Sequence, residues 1–194
     1  MLNTHHLSID LETLSLSLDA KIIQIGAYFY HPNKSNSSFS VIVNHSSQDD
    51  RFEDSDTLEW WRQQDESLKK NVLDKSMNNQ GYDLVTALLM LNDWIKKETD
   101  GNLNNFKVWS NSLNFDIACL ELAYYRYNIN NCRPLWYFRN VCDQRTIAYI
   151  ASSLGIDTDY NIVERKGNLH NASSDAEFQM KYIVELMKRI ENKK

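Results

Sequence analysis

The sequence predicts an α/β domain, a mixed sheet with helices packed on both of its faces. Three observations carry that reading. The first 43 residues hold three β-rich runs separated by short polar stretches, the pattern of an antiparallel meander. After them, helical and strand-like segments alternate, as in a sheet extended by crossover connections. The length of 194 residues, with 42% hydrophobic and 24% charged, suits one well-cored domain.

The elements follow in order. Residues 7–11 form a short strand that opens the fold, and residues 21–31, KIIQIGAYFYH, form a longer one with Gly26 at its middle. The polar turn PNKSNSS at 32–38 leads into a third strand, FSVIV, at 39–43. Residues 46–55 are polar and acidic and read as a loop. Asp56 followed by Glu59 has capping-box spacing and starts a helix carrying Leu58, Trp60 and Trp61. Residues 65–73 make a second short helix. Between 82 and 98, Leu84, Leu88, Leu91 and Ile95 recur at helical spacing, and Gly101 and Asn102 end that helix. A short strand is expected at 106–109, then a helix at 115–127 with Ile117, Leu120, Ala123 and Tyr124 on one face. A fifth strand is expected at 134–138 and a helix at 143–153, stopped by Gly155. Residues 157–169 are irregular. The last helix runs from about 174 to 191, with Ser174 and Glu177 as its capping box and Asp175 in its first turn.

Composition excludes several classes. No stretch approaches the ~18 apolar residues of a membrane span, and the first ten residues lack the basic and apolar regions of a signal peptide. Cys119, Cys132 and Cys142 form no CxxC pair, so they read as free thiols of a reducing compartment, the cytoplasm. A net charge of −5 argues against a basic protein that coats duplexes. It leaves room for a carboxylate cluster whose divalent ions accept a phosphodiester.

Three motifs carry chemistry. In IDLET at 9–13, Asp10 and Glu12 are two apart on a strand and point to one face. Two carboxylates so placed repel unless a cation lies between them, and an oxygen-only pair suits Mg²⁺ or Mn²⁺. The bland alternative is a solvated loop pair. In NSLNFD at 111–116, Asp116 lies at a strand-to-helix junction, where it caps its helix or joins the same metal centre. In HNASSD at 170–175, His170 precedes the last helix and Asp175 enters it. A loop histidine beside a metal-binding carboxylate is placed to take a proton from water. Arg165 and Lys166, shortly upstream, either hold a phosphate or are solvated loop charges. Phe115 either stacks on a base or packs in the core.

Taken together, D-x-E, then N-x₃-F-D, then H-x₄-D resembles the DEDDh exonucleases of the DnaQ-like superfamily in motif order and spacing, from Asp10 to Asp175. The segment DTLEWWRQQ at 56–64 is similar to one found in T-even phage exonuclease A and in the mycobacterial exoribonuclease that trims adenylate-rich ends. The resemblance implies a ribonuclease-H-like fold with a five-stranded sheet, three strands antiparallel and two added in parallel, and a single exonuclease domain over 1–194. It implies 3′-to-5′ hydrolysis of single-stranded RNA or DNA ends, releasing nucleoside 5′-monophosphates, with two Mg²⁺ or Mn²⁺ ions per site. Asp10, Glu12, Asp116 and Asp175 match the metal carboxylates, and His170 matches the general base. Thr13 and Leu14 match the stretch that touches the terminal nucleotide, and Trp61 matches the paired tryptophans; Trp60 and Trp61 either contact substrate or pack as residues of a short amphipathic helix. Members are often homodimers, so a dimer is expected. A non-catalytic end-binding or polymerase-partner module on the same fold, and a phosphoesterase acting on small nucleotides, are the competing readings.

Overall fold

In the computed structural model, which describes residues 3–193, five strands form one sheet in the order β3-β2-β1-β4-β5. β1 (His5–Thr13) pairs antiparallel with β2 (Ile22–Tyr30), which pairs antiparallel with β3 (Ser37–Ile42). On the other side of β1, β4 (Phe106–Ser110) and β5 (Val141–Asp143) add in parallel. The helices are α1 (Ser55–Arg62), α2 (Glu66–Asn71), α3 (Leu73–Met77), α4 (Leu84–Glu98), α5 (Ala118–Arg126), α6 (Gln144–Ser153) and α7 (Ala172–Asn192). This is the mixed five-stranded sheet that the sequence predicts, with the opening strand at its centre.

Strand alternation sorts the central strand into two faces. Leu7, Ile9 and Leu11 enter an apolar cluster with Leu88 and Leu91 of α4 and Leu120 and Tyr124 of α5. Ser8, Asp10 and Glu12 face the other way, toward α7. On that second face Ala176, Met180, Ile183 and Met187 of α7 pack with Ile147 of α6 against Tyr28 and Trp109. A third cluster, Leu14, Ile23, Trp61, Leu68, Val72 and Leu73, joins α1–α3 to the open end of the β1–β2 pair.

The start of α7 is docked on the sheet by two residues of β2. Gly26 lies across from Asp10 in register, and a Cβ there would fall 2.0 Å from the carbonyl carbon of Ala172. Only glycine permits so close a helix–strand approach. Two residues away, Gln24 lies across from Glu12, and its Oε1 accepts the Ala172 N–H at 3.0 Å. The first turn of α7 is thereby fixed beside the Asp10–Glu12 pair.

Several boundaries differ from expectation, among them residues 65–73, expected as one helix, which form α2 and, after Val72, the start of α3. The fifth strand is Val141–Asp143 rather than 134–138. Leu135 and Trp136 are buried, but from a loop, with the Trp136 indole donating to Glu121 at 3.2 Å. A short apolar run marks burial without deciding between strand and buried loop. α1 is capped by Asp54, whose carboxylate accepts the Thr57 N–H at 2.7 Å, so Asp56 lies inside the helix. α7 is capped by Asn171, which accepts the Ser174 N–H at 3.2 Å; Ser174 lies inside the helix and Glu177 pairs with Lys181. Both caps sit upstream of the boxes read from sequence because the earlier side chain reaches the free amides first. The helix expected at 115–127 begins instead as a π-helical turn, Leu113–Ile117, that runs into α5.

Candidate active site

Four carboxylates meet at the end of β1. One oxygen each from Asp10, Glu12 and Asp175 lie within 4.8 Å of one another. Strand alternation brings the first two together, and the docked first turn of α7 brings the third. Asp116 arrives from the π-helical turn after β4, a local widening frequent at functional sites. Its Oδ1 accepts the N–H of Leu11, the residue between the other two acids, at 3.3 Å. The structure thus brings together all four carboxylates that the motifs single out. Asp10, Glu12 and Asp175 border a cleft of about 640 Å³ whose walls include His170, Arg165 and Gln179, with Asp116 buried behind them.

The electrostatics of the group call for a cation. Burial lifts the Asp10 carboxyl well above its usual value, and the charges of Asp116, Glu12 and Asp175 lift it further, against a hydrogen bond from Gln179. Glu12 is raised by burial and then by Asp175 and Asp116. Burial pushes Asp116 up to about 7, although backbone N–H bonds and Arg145 favour its charged form. Three buried acids that resist ionising together, with the Asp175 carboxylate beside them and oxygen donors alone on offer, fit a hard divalent ion and not a thiophilic one. The donor set therefore suits Mg²⁺ or Mn²⁺.

Neighbouring side chains orient the acids. Gln179 donates from Nε2 to Asp10 at 2.6 Å, and its Oε1 accepts the Ser8 hydroxyl at 3.3 Å, which fixes which way the amide faces. The His170 N–H donates to Asp175 Oδ2 at 2.9 Å, with His170 itself in a left-handed backbone conformation (φ 60°). Its imidazole meets the Trp60 ring edge-on, with centroids 4.8 Å apart. Arg165 pairs with the other oxygen of Asp175.

Beside Glu12, a second cavity of about 390 Å³ is lined by Thr13, Leu16, Trp60, Trp61 and Phe115. Of the four residues expected to touch a nucleotide, Thr13, Trp61 and half-buried Phe115 border it. Leu14 does not: it is 0% exposed and packs with Trp61 and Val72. The backbone explains this, because Leu14 follows β1 on the side of the strand opposite Thr13. Trp61 is also a packing residue, 1% exposed, with its indole donating to the Thr13 carbonyl at 2.9 Å. The freer ring is that of Trp60, 40% exposed. Helix geometry held that signal, since Leu58 and Trp61 share a face at i, i+3 and Trp60 points elsewhere. Leu16, 83% exposed at the cavity rim, Gln24 and Gln179 had no sequence signal of their own.

Comparison with known proteins gives a family and a fold. The family model for the 3′-5′ exoribonuclease Rv2179c-like domain matches residues 5–187. No curated protein matches the chain in sequence. Among solved structures, the nuclease domain of 3′hExo, a DEDDh family member bound to rAMP, superposes with a TM-score of 0.62 at 14% identity, over 96% of this chain and 93% of that one. Cell-death related nuclease 4 gives 0.59 at 15% identity, over 97% of this chain and 64% of that one. Exonuclease I gives 0.64 at 14% identity, over 97% of this chain and 43% of that one, so the chain spans under half of that enzyme's length. The fold is the ribonuclease-H-like fold of the DEDDh exonucleases. Among the described residues no helix is long and apolar enough to cross a membrane.

Proposed function

The chain belongs to the 3′-5′ exoribonuclease Rv2179c-like domain family and is a 3′-5′ exonuclease; from that premise we propose that it frees nucleoside 5′-monophosphates from single-stranded 3′-OH ends, RNA ahead of DNA, using two Mg²⁺ or Mn²⁺ ions. The observation that supports this reading is the convergence of Asp10, Glu12 and Asp175, with Asp116 behind them, in an open cleft.

Asp10, Glu12, Asp116 and Asp175 hold the ions. Bound there, divalent ions acidify the attacking water and offset charge on the leaving 3′ oxygen. His170, on the cleft wall, accepts the water proton. Its backbone N–H on Asp175 and its ring edge on Trp60 orient it for that task. Trp60, Leu16 and Phe115, with Thr13 beside them and Trp61 packed behind, form the wall that receives the terminal base. The name of the family and the rAMP bound to 3′hExo favour a ribonucleotide.

Residues 1–194 act as one exonuclease domain, in the cytoplasm, where Cys119, Cys132 and Cys142, all free, remain reduced. A homodimer completes the proposal and is read by sedimentation. The substrate test is a panel of single- and double-stranded RNA and DNA with 3′-OH or 3′-phosphate ends. Single-stranded RNA with a 3′-OH should be shortened fastest. Faster loss of duplex, or release of dinucleotides, would overturn the reading.

A further inference from the structure

Arg165 occupies a position that the exonuclease reading does not use. It lies on the irregular segment between α6 and α7, in the wall of the carboxylate cleft. Its guanidinium pairs with Asp175 Oδ1, and its Cζ sits 4.0 Å from the centre of the Phe178 ring. Both oxygens of Asp175 are therefore engaged, Oδ1 by Arg165 and Oδ2 by the His170 N–H. Among the described residues no other lysine or arginine pairs with Asp10, Glu12 or Asp175; Arg145 acts on Asp116 at longer range. One cation thus lines the cleft of Asp10, Glu12 and Asp175, on a carboxylate that a divalent ion needs.

We propose that Arg165 is a displaceable counter-cation: it holds Asp175 until a divalent ion takes that carboxylate, and the freed guanidinium then binds the phosphate of the nucleotide in the cleft. This rests on the exonuclease reading and deepens it by assigning the phosphate contact. Two physical points support it. A divalent ion and a guanidinium compete for the same carboxylate oxygen. Released from Asp175, Arg165 keeps its cation–π seat on Phe178, so the planar fork stays at the cleft wall, where it matches phosphate oxygens in a bidentate way.

The test uses binding rather than turnover. Calorimetry measures Mn²⁺ affinity of the nucleotide-free protein, then 5′-AMP affinity at saturating Mn²⁺, with adenosine as the phosphate-free control. Arg165→Met keeps an apolar stem over Phe178 and removes the charge. It should bind Mn²⁺ about 3- to 10-fold more tightly and 5′-AMP about 10-fold more weakly, with adenosine unchanged. Arg165→Lys should fall between it and the wild type on both, because it keeps the charge and loses the fork. A residue that merely braces the loop would weaken both ligands together. Unchanged or weaker Mn²⁺ binding in Arg165→Met, or undiminished 5′-AMP binding, would overturn the role of Arg165 while leaving the metal site standing. Wild-type protein that binds no Mn²⁺ would overturn both.

Discussion

Replacing Asp116 by asparagine should stabilise the metal-free protein while disabling the site. Burial carries this carboxyl from 3.8 to about 7 in the folded chain. Ionising it there rather than in the unfolded chain costs about 4 kcal/mol once the pH is well above both values. The sign follows from the direction. A carboxyl raised by folding contributes its full stability below about pH 4, and that contribution is lost as the pH rises through about 7. Asp10 and Glu12 move the same way, so the metal-free wild type should weaken steadily between about pH 5 and pH 8. Asparagine keeps an oxygen for the Leu11 N–H and cannot ionise. Its new amide N–H₂ needs a partner in a buried place, which takes back roughly 1–3 kcal/mol. The net gain at pH 8 should be about 1–3 kcal/mol. Urea unfolding at pH 5 and pH 8 in EDTA measures it. With Mn²⁺ present the order should reverse, because the ion stabilises the wild type and finds a weaker site in the variant. An Asp116→Asn protein less stable than wild type at pH 8 in EDTA, or a wild type whose stability does not fall over that range, would refute the reasoning.

Three further changes probe the site. Asp10→Asn should lower the hydrolysis rate at least ~10³-fold under saturating Mg²⁺, read with a labelled oligonucleotide, because it removes charge from the centre of the metal cluster. His170→Ala should leave Mn²⁺ affinity largely intact and lower the rate ~10²–10⁴-fold; a wild-type rate would mean that another group takes the proton. Gly26→Ala should cost roughly 1–3 kcal/mol or more in urea unfolding and weaken Mn²⁺ binding, since its methyl must push the first turn of α7, and Asp175 with it, off β2. Undiminished Mn²⁺ affinity in that variant would show that α7 can shift without moving its carboxylate.

The sheet and the acids were legible because each rests on a local rule. Alternation alone places Asp10 and Glu12 on one face, and a helix start alone places Asp175 in a first turn. What the sequence could not show is why the two places coincide. That depends on Gly26 and Gln24, residues of β2 that meet Ala172 nearly 150 positions later, and such pairing leaves no periodic trace. β5 escaped for a related reason: its three residues owe their conformation to parallel pairing with β4, whereas Leu135 and Trp136 nearby have the apolar pattern of a strand and form a buried loop. Leu14 and Trp61 show the limit of carrying a role over by position. Both fall within the expected stretches, yet both are sealed into packing, while Trp60 and Leu16 present the open surface. Arg165 was visible as a loop charge, and its partner became evident only once the loop returned to α7.

The central claim is that four acids at the end of β1 hold divalent ions that hydrolyse nucleic acid from a free 3′ end. The most direct measurement follows an RNA labelled at its 5′ end beside the same sequence closed into an internally labelled circle, with Mg²⁺ and then with excess EDTA. The linear strand should shorten one nucleotide at a time with its label retained until the last steps, the circle should stay whole, and EDTA should stop the reaction. Cutting of the circle, early release of the 5′ label, or full activity in EDTA would contradict the account.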